Sequence, residues 1–253
     1  MISMKPRAIA IFLLGLCAAL PPGPGTAAEL KISPLRLTLG TENPIDVVTV
    51  ANPGSEPVLL QVRLRAWSHP DGQDRFEDSR DVLANPTVFE LEPGQQQVVR
   101  VGLTRPLSGT RELSYRIFIQ QLPRQDAEKS RQVSTLLTLA LPLFVAPRDS
   151  LPPNLAWRVE PRSATEIAVQ VENRGNTHAE VSSLALSRQG GEQVAAFDRR
   201  IYVLPGQRRE LVLPGGALGV AERLTLTAST GRDGRIETAL RVGTVAPVEE
   251  ALR

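Results

Sequence analysis

The sequence has almost no cysteine. The single one, Cys17, leaves no partner for a disulfide and no thiolate set for zinc. Histidine is nearly as scarce. His69 and His178 lie far apart, and no HExxH or other metal-ligand spacing connects them. Both fall in turn-like stretches, HPDG and NRGNTH, and read as exposed turn residues rather than as bases beside a nucleophile. No G-x-G-x-x-G or Walker-type loop is present. Aromatics are only 4% of the 253 residues, too few for the stacking platforms of a sugar-binding module. Lysine is confined to Lys5, Lys31 and Lys129, the rest of the 29 basic residues being arginine. The net charge of +2 comes from Lys5 and Arg7, because the other 27 basic residues balance 27 acidic ones. A broad nucleic-acid surface is therefore excluded. The expectation is a binding protein, not an enzyme, with no metal and no cofactor.

One long apolar run exists, at residues 8–20 (AIAIFLLGLCAAL). It is too short to span a bilayer, which takes about 20 residues. Basic residues precede it and PPGPGTAA follows, so residues 1–28 read as a secretory signal peptide cleaved after Ala28. Leu16 stands where lipoprotein processing of Cys17 would need a small residue. The mature chain then has no cysteine, is exported, is not membrane-embedded, and must be held together by its cores alone.

Gly (19) and Pro (21) punctuate what remains. Apolar and polar residues alternate in short runs between turn signals. Residues 57–67 (PVLLQVRLRAW) set Val58, Leu60, Val62 and Leu64 against Leu59, Gln61, Arg63 and Arg65. The runs begin with residues 30–39 and end, for a first unit, at residues 133–145. After a Pro-containing hinge at 148–154 (RDSLPPN is 148–154) the pattern restarts. Seven strand candidates fall on each side. The expected fold class is all-β: two immunoglobulin-like β-sandwich domains, 29–148 and 149–245, after the signal peptide and before a tail at 246–253. A single larger jelly roll is the competing architecture.

Residues 133–145 (VSTLLTLALPLFV) are unusual, with no charge over the whole run. One face carries Val133, Thr135, Leu137, Leu139, Leu141, Leu143 and Val145. A strand with one wet face should carry more polar side chains on the other. Two readings are open. The run is a fully buried central strand, or it is an apolar edge awaiting a partner, an aggregation hazard unless covered and the requirement for β-strand addition. The charged stretch 124–132 (RQDAEKSRQ) precedes it.

An ordered set of segments carries a family resemblance. ISPLRLTL (32–39), VTVANPGSEPVLLQVRLRAW (48–67), FELEPGQQQVVRV (89–101), ELSYRIFIQQLP (112–123), LFVAP (143–147), VENRGNTHAEV (171–181) and YVLPGQRREL (202–211) resemble, in order, the periplasmic chaperones of the chaperone–usher pathway, which assemble pili. The resemblance implies a periplasmic chaperone that binds pilus subunits by donor-strand complementation and passes them to an outer-membrane usher. Its donor residues would be Val133, Thr135, Leu137, Leu139 and Leu141. Burying four such side chains contributes roughly 6–10 kcal/mol gross, before ordering costs. The family anchors the subunit's terminal carboxylate with an Arg on the first strand and a Lys on the seventh. Arg36 falls at the Arg position, but Pro142 stands at the Lys position. The candidates to replace it are Arg116 and Arg100. This departure resembles the archaic or alternative branch. The exposed apolar strand also leaves room for self-association of the free chaperone. Two other classes compete: a structural pilus subunit or adhesin, and an envelope carbohydrate- or peptide-binding sandwich. A subunit should show an apolar donor extension just after the signal, whereas here fold-like strand signals begin at once.

Overall fold

Alternating side chains become paired strands when a second sheet covers the apolar face. The computed structural model describes residues 29–106, 109–123, 136–231 and 234–247. The expected signal peptide, the stretch 124–132, Val133, Thr135 and the end of the tail lie outside the described residues.

The first half contains β1 (Lys31–Ser33), β2 (Leu37–Leu39), β3 (Ile45–Ala51), β4 (Val58–Ser68), β5 (Arg75–Asp78), β6 (Val82–Asn85), β7 (Val88–Leu91), β8 (Gln96–Leu103), β9 (Leu113–Leu122) and β10 (Thr138–Val145). One sheet has the order β1-β3-β8-β6; the other runs β2-β10-β9-β4-β5, with β7 also on β4. Val50, Leu60, Val99, Ile117 and Leu143 fill the space between them. The single first strand expected at 30–39 is two strands. Pro34 has no N–H to give a ladder, and at that point the chain leaves β3 and crosses to pair in parallel with β10.

The second half contains β11 (Leu155–Pro161), β12 (Glu166–Asn173), β13 (Ala179–Arg188), β14 (Gln193–Phe197), β15 (Ile201–Val203), β16 (Arg208–Pro214), β17 (Arg223–Thr230), β18 (Gly234–Arg241) and β19 (Val245–Pro247). Its sheets are β16-β12-β11-β19 and β14-β13-β17-β18, with β15 on β13. Trp157, fully buried, centres a separate core with Val169, Leu186 and Leu226. Two independent cores decide for two sandwiches over one jelly roll.

The two sandwiches share a device. Asn52 and Asn173 are both buried. The Asn52 amide donates to Glu56 O (2.8 Å) and Leu91 O (3.0 Å), and its Oδ1 accepts from the Gly54 N–H. The Asn173 amide donates to Thr177 O (2.7 Å) and Val203 O (3.0 Å), and its Oδ1 accepts from the Gly175 N–H. Each asparagine also exchanges backbone hydrogen bonds with a Pro-Gly-Gln turn, through Gly94 and Gln95 or Gly206 and Gln207. A buried amide whose donors and acceptor are all satisfied staples one turn to another.

The hinge segment 148–154 is strapped down. The Arg148 N–H donates to Gly109 O (3.2 Å), the Leu151 N–H to Asn176 Oδ1 (2.7 Å), and the Arg174 N–H to Asn154 O (2.7 Å). Gly175 is required beside it, since a Cβ there would sit 2.8 Å from Pro153 Cα.

Candidate functional site

Strand parity builds the site. On β4 the even residues Val58, Leu60 and Val62 enter the first core, so Arg65 and Trp67 face outward. On β9, Tyr115, Ile117 and Ile119 face in and Arg116 faces out. On β10, Leu141, Leu143 and Val145 face in, and Pro142 and Phe144 face out. The registers align these outward residues in rows. Pro142 lies opposite Arg116, which lies opposite Arg65. Arg36 stands one residue before the Leu37–Leu143 pair, level with Pro142. Arg36 and Arg116 therefore flank Pro142 on one face of one sheet.

That face meets the second sandwich. Trp67, Phe144 and Leu204 form a third apolar cluster, with Phe76 and Tyr202 against it. The Phe144 ring stacks on His178, with centroids 3.6 Å apart. Glu112 Oε1 accepts from the His178 N–H (3.0 Å) and lies 2.8 Å from His178 Nδ1. Asp74 Oδ1 accepts from the Trp67 indole (2.8 Å) and from Arg209 of the second sandwich (2.8 Å), and lies 3.0 Å from His69 Nε2. The His69 N–H donates to the Gln207 amide oxygen. His69 contact, the Trp67 indole and Arg209 together hold the Asp74 carboxyl well below the usual carboxylate range. Burial pushes the His69 imidazole down, favouring its neutral form.

These positions correct the reading of both histidines as exposed turn residues. His69 is 3% exposed, and the ring of His178 is covered by Phe144. Each sits in a turn, but the turn is pressed against the opposite sandwich. Trp67 likewise sits between the two cores rather than in one of them.

The Arg116 guanidinium lies 3.8 Å above the Trp67 ring and 5.4 Å from the Tyr202 centroid. Burial lowers its pKa. It pairs with no carboxylate among the described residues; its recorded hydrogen bond is a long one, 3.4 Å, to Ala140 O. A desolvated cation in this position favours an incoming anion. Arg36 is half-exposed at the mouth of a cavity of about 330 Å³ between the sandwiches, lined also by Thr38, Thr177, His178 and Glu180. Arg100 is not brought to this cleft. It lies on β8 between Val47 and Asn85, exposed on the outer face of the other sheet. Among the described residues no group of three His, Cys, Asp or Glu side chains could hold a metal.

The donor candidates divide. Val133 and Thr135 lie outside the described residues. Leu137 and Leu139 are half-buried, and Leu141 is sealed in its own core at 6% exposure. β10 pairs with β9 along its whole length, but with β2 only at Leu143–Val145. Among the described residues no strand pairs with the other rim of residues 138–142. The two readings of this run thus each describe one part of it: central at its C-terminal end, free-rimmed before that.

The geometry is that of a two-sandwich protein with an open strand edge leading to an inter-domain cleft that has Arg36 at its mouth. Residues 29–150 match the family described as pili and flagellar-assembly chaperone, PapD N-terminal domain. The matched residues are those of the first sandwich and the start of the hinge segment that follows it. No curated protein matches the chain by sequence. Among solved structures it is similar to a chain of the CsuC–CsuE chaperone–tip adhesion subunit pre-assembly complex from the archaic chaperone–usher Csu pili of Acinetobacter baumannii (17% identity, 85% of this chain and 98% of that chain, TM-score 0.63). It is also similar to a chain of the Salmonella enterica SafA pilin–SafB chaperone complex (17% identity, 86% and 98%, TM-score 0.58). The Pseudomonas aeruginosa CupB2 chaperone shares the fold as well (18% identity, 82% and 97%, TM-score 0.52).

Proposed function

We propose that this chain is a periplasmic chaperone that captures pilus subunits by lending them β10 and delivers them to an outer-membrane usher. The observation that carries the reading is the open rim of residues 138–142, which ends at Pro142 with Arg36 and Arg116 on either side. An immunoglobulin-like subunit lacking its last strand exposes an apolar cleft and unpaired backbone groups. The β10 rim supplies main-chain partners, and Leu137 and Leu139, continued by Val133 and Thr135, supply the apolar filling. Arg36 and Arg116 anchor the subunit's terminal carboxylate, Arg116 taking the part for which Pro142 has no charge. Residues 29–148 form the capturing domain and 149–245 the second wall of the cleft. Residues 1–28 direct export. Among the described residues no helix is long and apolar enough to cross a membrane. The likeness to the CsuC–CsuE complex and the Pro142 departure together favour the archaic branch.

Co-expression of the chain with short secreted β-proteins encoded beside it tests the reading. A one-to-one complex should co-purify on a tag placed on the chaperone. Failure with every such protein, while the chain itself stays folded, overturns it.

A further inference from the structure

The anchor reading leaves one acid in the cleft without a part. Glu180 lies on β13, in register with Tyr202 of β15, on the wall facing the arginine row. One of its oxygens is 2.8 Å from Arg200 Nε and the other 3.5 Å from Arg36 Nη1. Its side chain is only 16% exposed, against 51% for Arg36. The two contacts are unequal. The pair with Arg200 is short, whereas the contact with Arg36 is longer than a charge-assisted hydrogen bond, which lies at about 2.7–2.9 Å.

We infer that Glu180 is a built-in stand-in for the incoming carboxylate, holding Arg36 in the free protein and tempering the cleft's affinity for acid chain ends. The inference rests on Arg36 being an anchor. In the free protein Glu180 keeps Arg36 partly neutralised. A chain end with a full carboxylate, set by strand pairing, makes the shorter bidentate contact and displaces it. Glu180 then stays on Arg200 and leaves no unpaired charge behind. A neutral end cannot displace it and meets an occupied arginine. The other acid lining the cavity, Glu112, is committed to His178.

The probe is a synthetic ten-residue peptide of alternating valine and threonine, made with a C-terminal acid or a C-terminal amide. Binding is read by the intrinsic tryptophan fluorescence of the full mature chain, to which Trp67 and the fully buried Trp157 both contribute. The wild type should prefer the acid. Glu180→Gln should raise affinity for the acid about fivefold and leave the amide unchanged, as expected for removing a partly exposed competing pair. Arg200→Ala should act in the opposite sense, because Glu180 then rests wholly on Arg36. If Glu180→Gln keeps the wild-type acid-to-amide ratio while Arg36→Ala abolishes it, Glu180 is no stand-in and the anchor survives. If Arg36→Ala keeps the ratio, the anchor falls and the stand-in falls with it. Wild type that binds neither peptide counts against capture on the β10 rim, and so against both.

Discussion

Asp74 is a contact point for three side chains, Trp67, His69 and Arg209, the last of them from the other sandwich. Both titrating members have folded pKa values below their ordinary ones, so stability is present above the unfolded value and is lost as pH falls. For His69, burial is the main cause, and the unfolded imidazole takes up a proton near 6.5. Stability should therefore decline as pH falls from about 7 toward 5. For Asp74 the decline starts only near the unfolded value of about 3.9 and continues to its depressed folded value. Urea unfolding across pH checks the assignment. His69→Phe should flatten the upper window and shrink the lower one, because the His69 contact is the largest cause of the Asp74 depression. A wild-type profile that is level from pH 7 to 5 would remove His69 from the account.

At the scale of the element, β10 has two tasks divided along its length. Leu143–Val145 is held on both sides, by β9 and β2, and Phe144 is buried against the second sandwich. Toward its N-terminal end only β9 holds the strand. Two leucines that look equivalent in sequence should then respond differently to the same substitution. Leu141→Asp puts a charge in a sealed core and should unfold the first sandwich, at a cost of several kcal/mol. Leu139→Asp should leave a soluble, folded chain that no longer captures subunits. Circular dichroism with the co-purification assay separates the two. Normal capture by Leu139→Asp would show that the donor face is assigned to the wrong residues.

At the scale of the whole molecule, the question is what couples two sandwiches that each own a core. The Trp67–Phe144–Leu204 cluster, the Asp74–Arg209 pair and the strapped 148–154 segment all cross the junction. An interface containing a buried tryptophan and phenylalanine favours a fixed inter-domain angle over free swinging. Leu204 is fully buried, yet it lies at the edge of its own domain, in the turn after β15. Leu204→Ala should cost about 2–5 kcal/mol. It should also split one thermal unfolding transition into two, seen by calorimetry. A single transition, merely shifted, would mean that the remaining contacts couple the domains without this cluster.

Much of this was legible in the residues. Period-two alternation in β4 and β9 reveals sandwich strands because sheet faces alternate with every residue. The uncharged run at 133–145 marked the strand with the open rim, and Arg36 in SPLRLTL marked one side of the cleft. The same alternation, carried one pair further, placed Trp67 with Arg65 and Phe144 with Pro142 on the outward faces; that signal was present and pointed to a second buried surface. What the chain could not reveal on its own is which outward face becomes an inside. A turn histidine and a glutamate on β13 carry no mark of the cleft, since their meeting depends on the angle between two cores. Local periodicity is decided by neighbours in sequence, and so the sequence determined the strands, the two cores and the uncharged run. The burial of His69, the stacking of Arg116 on Trp67 and the approach of Glu180 to Arg36 come from contacts between residues tens to more than a hundred positions apart, and only the tertiary structure decided them.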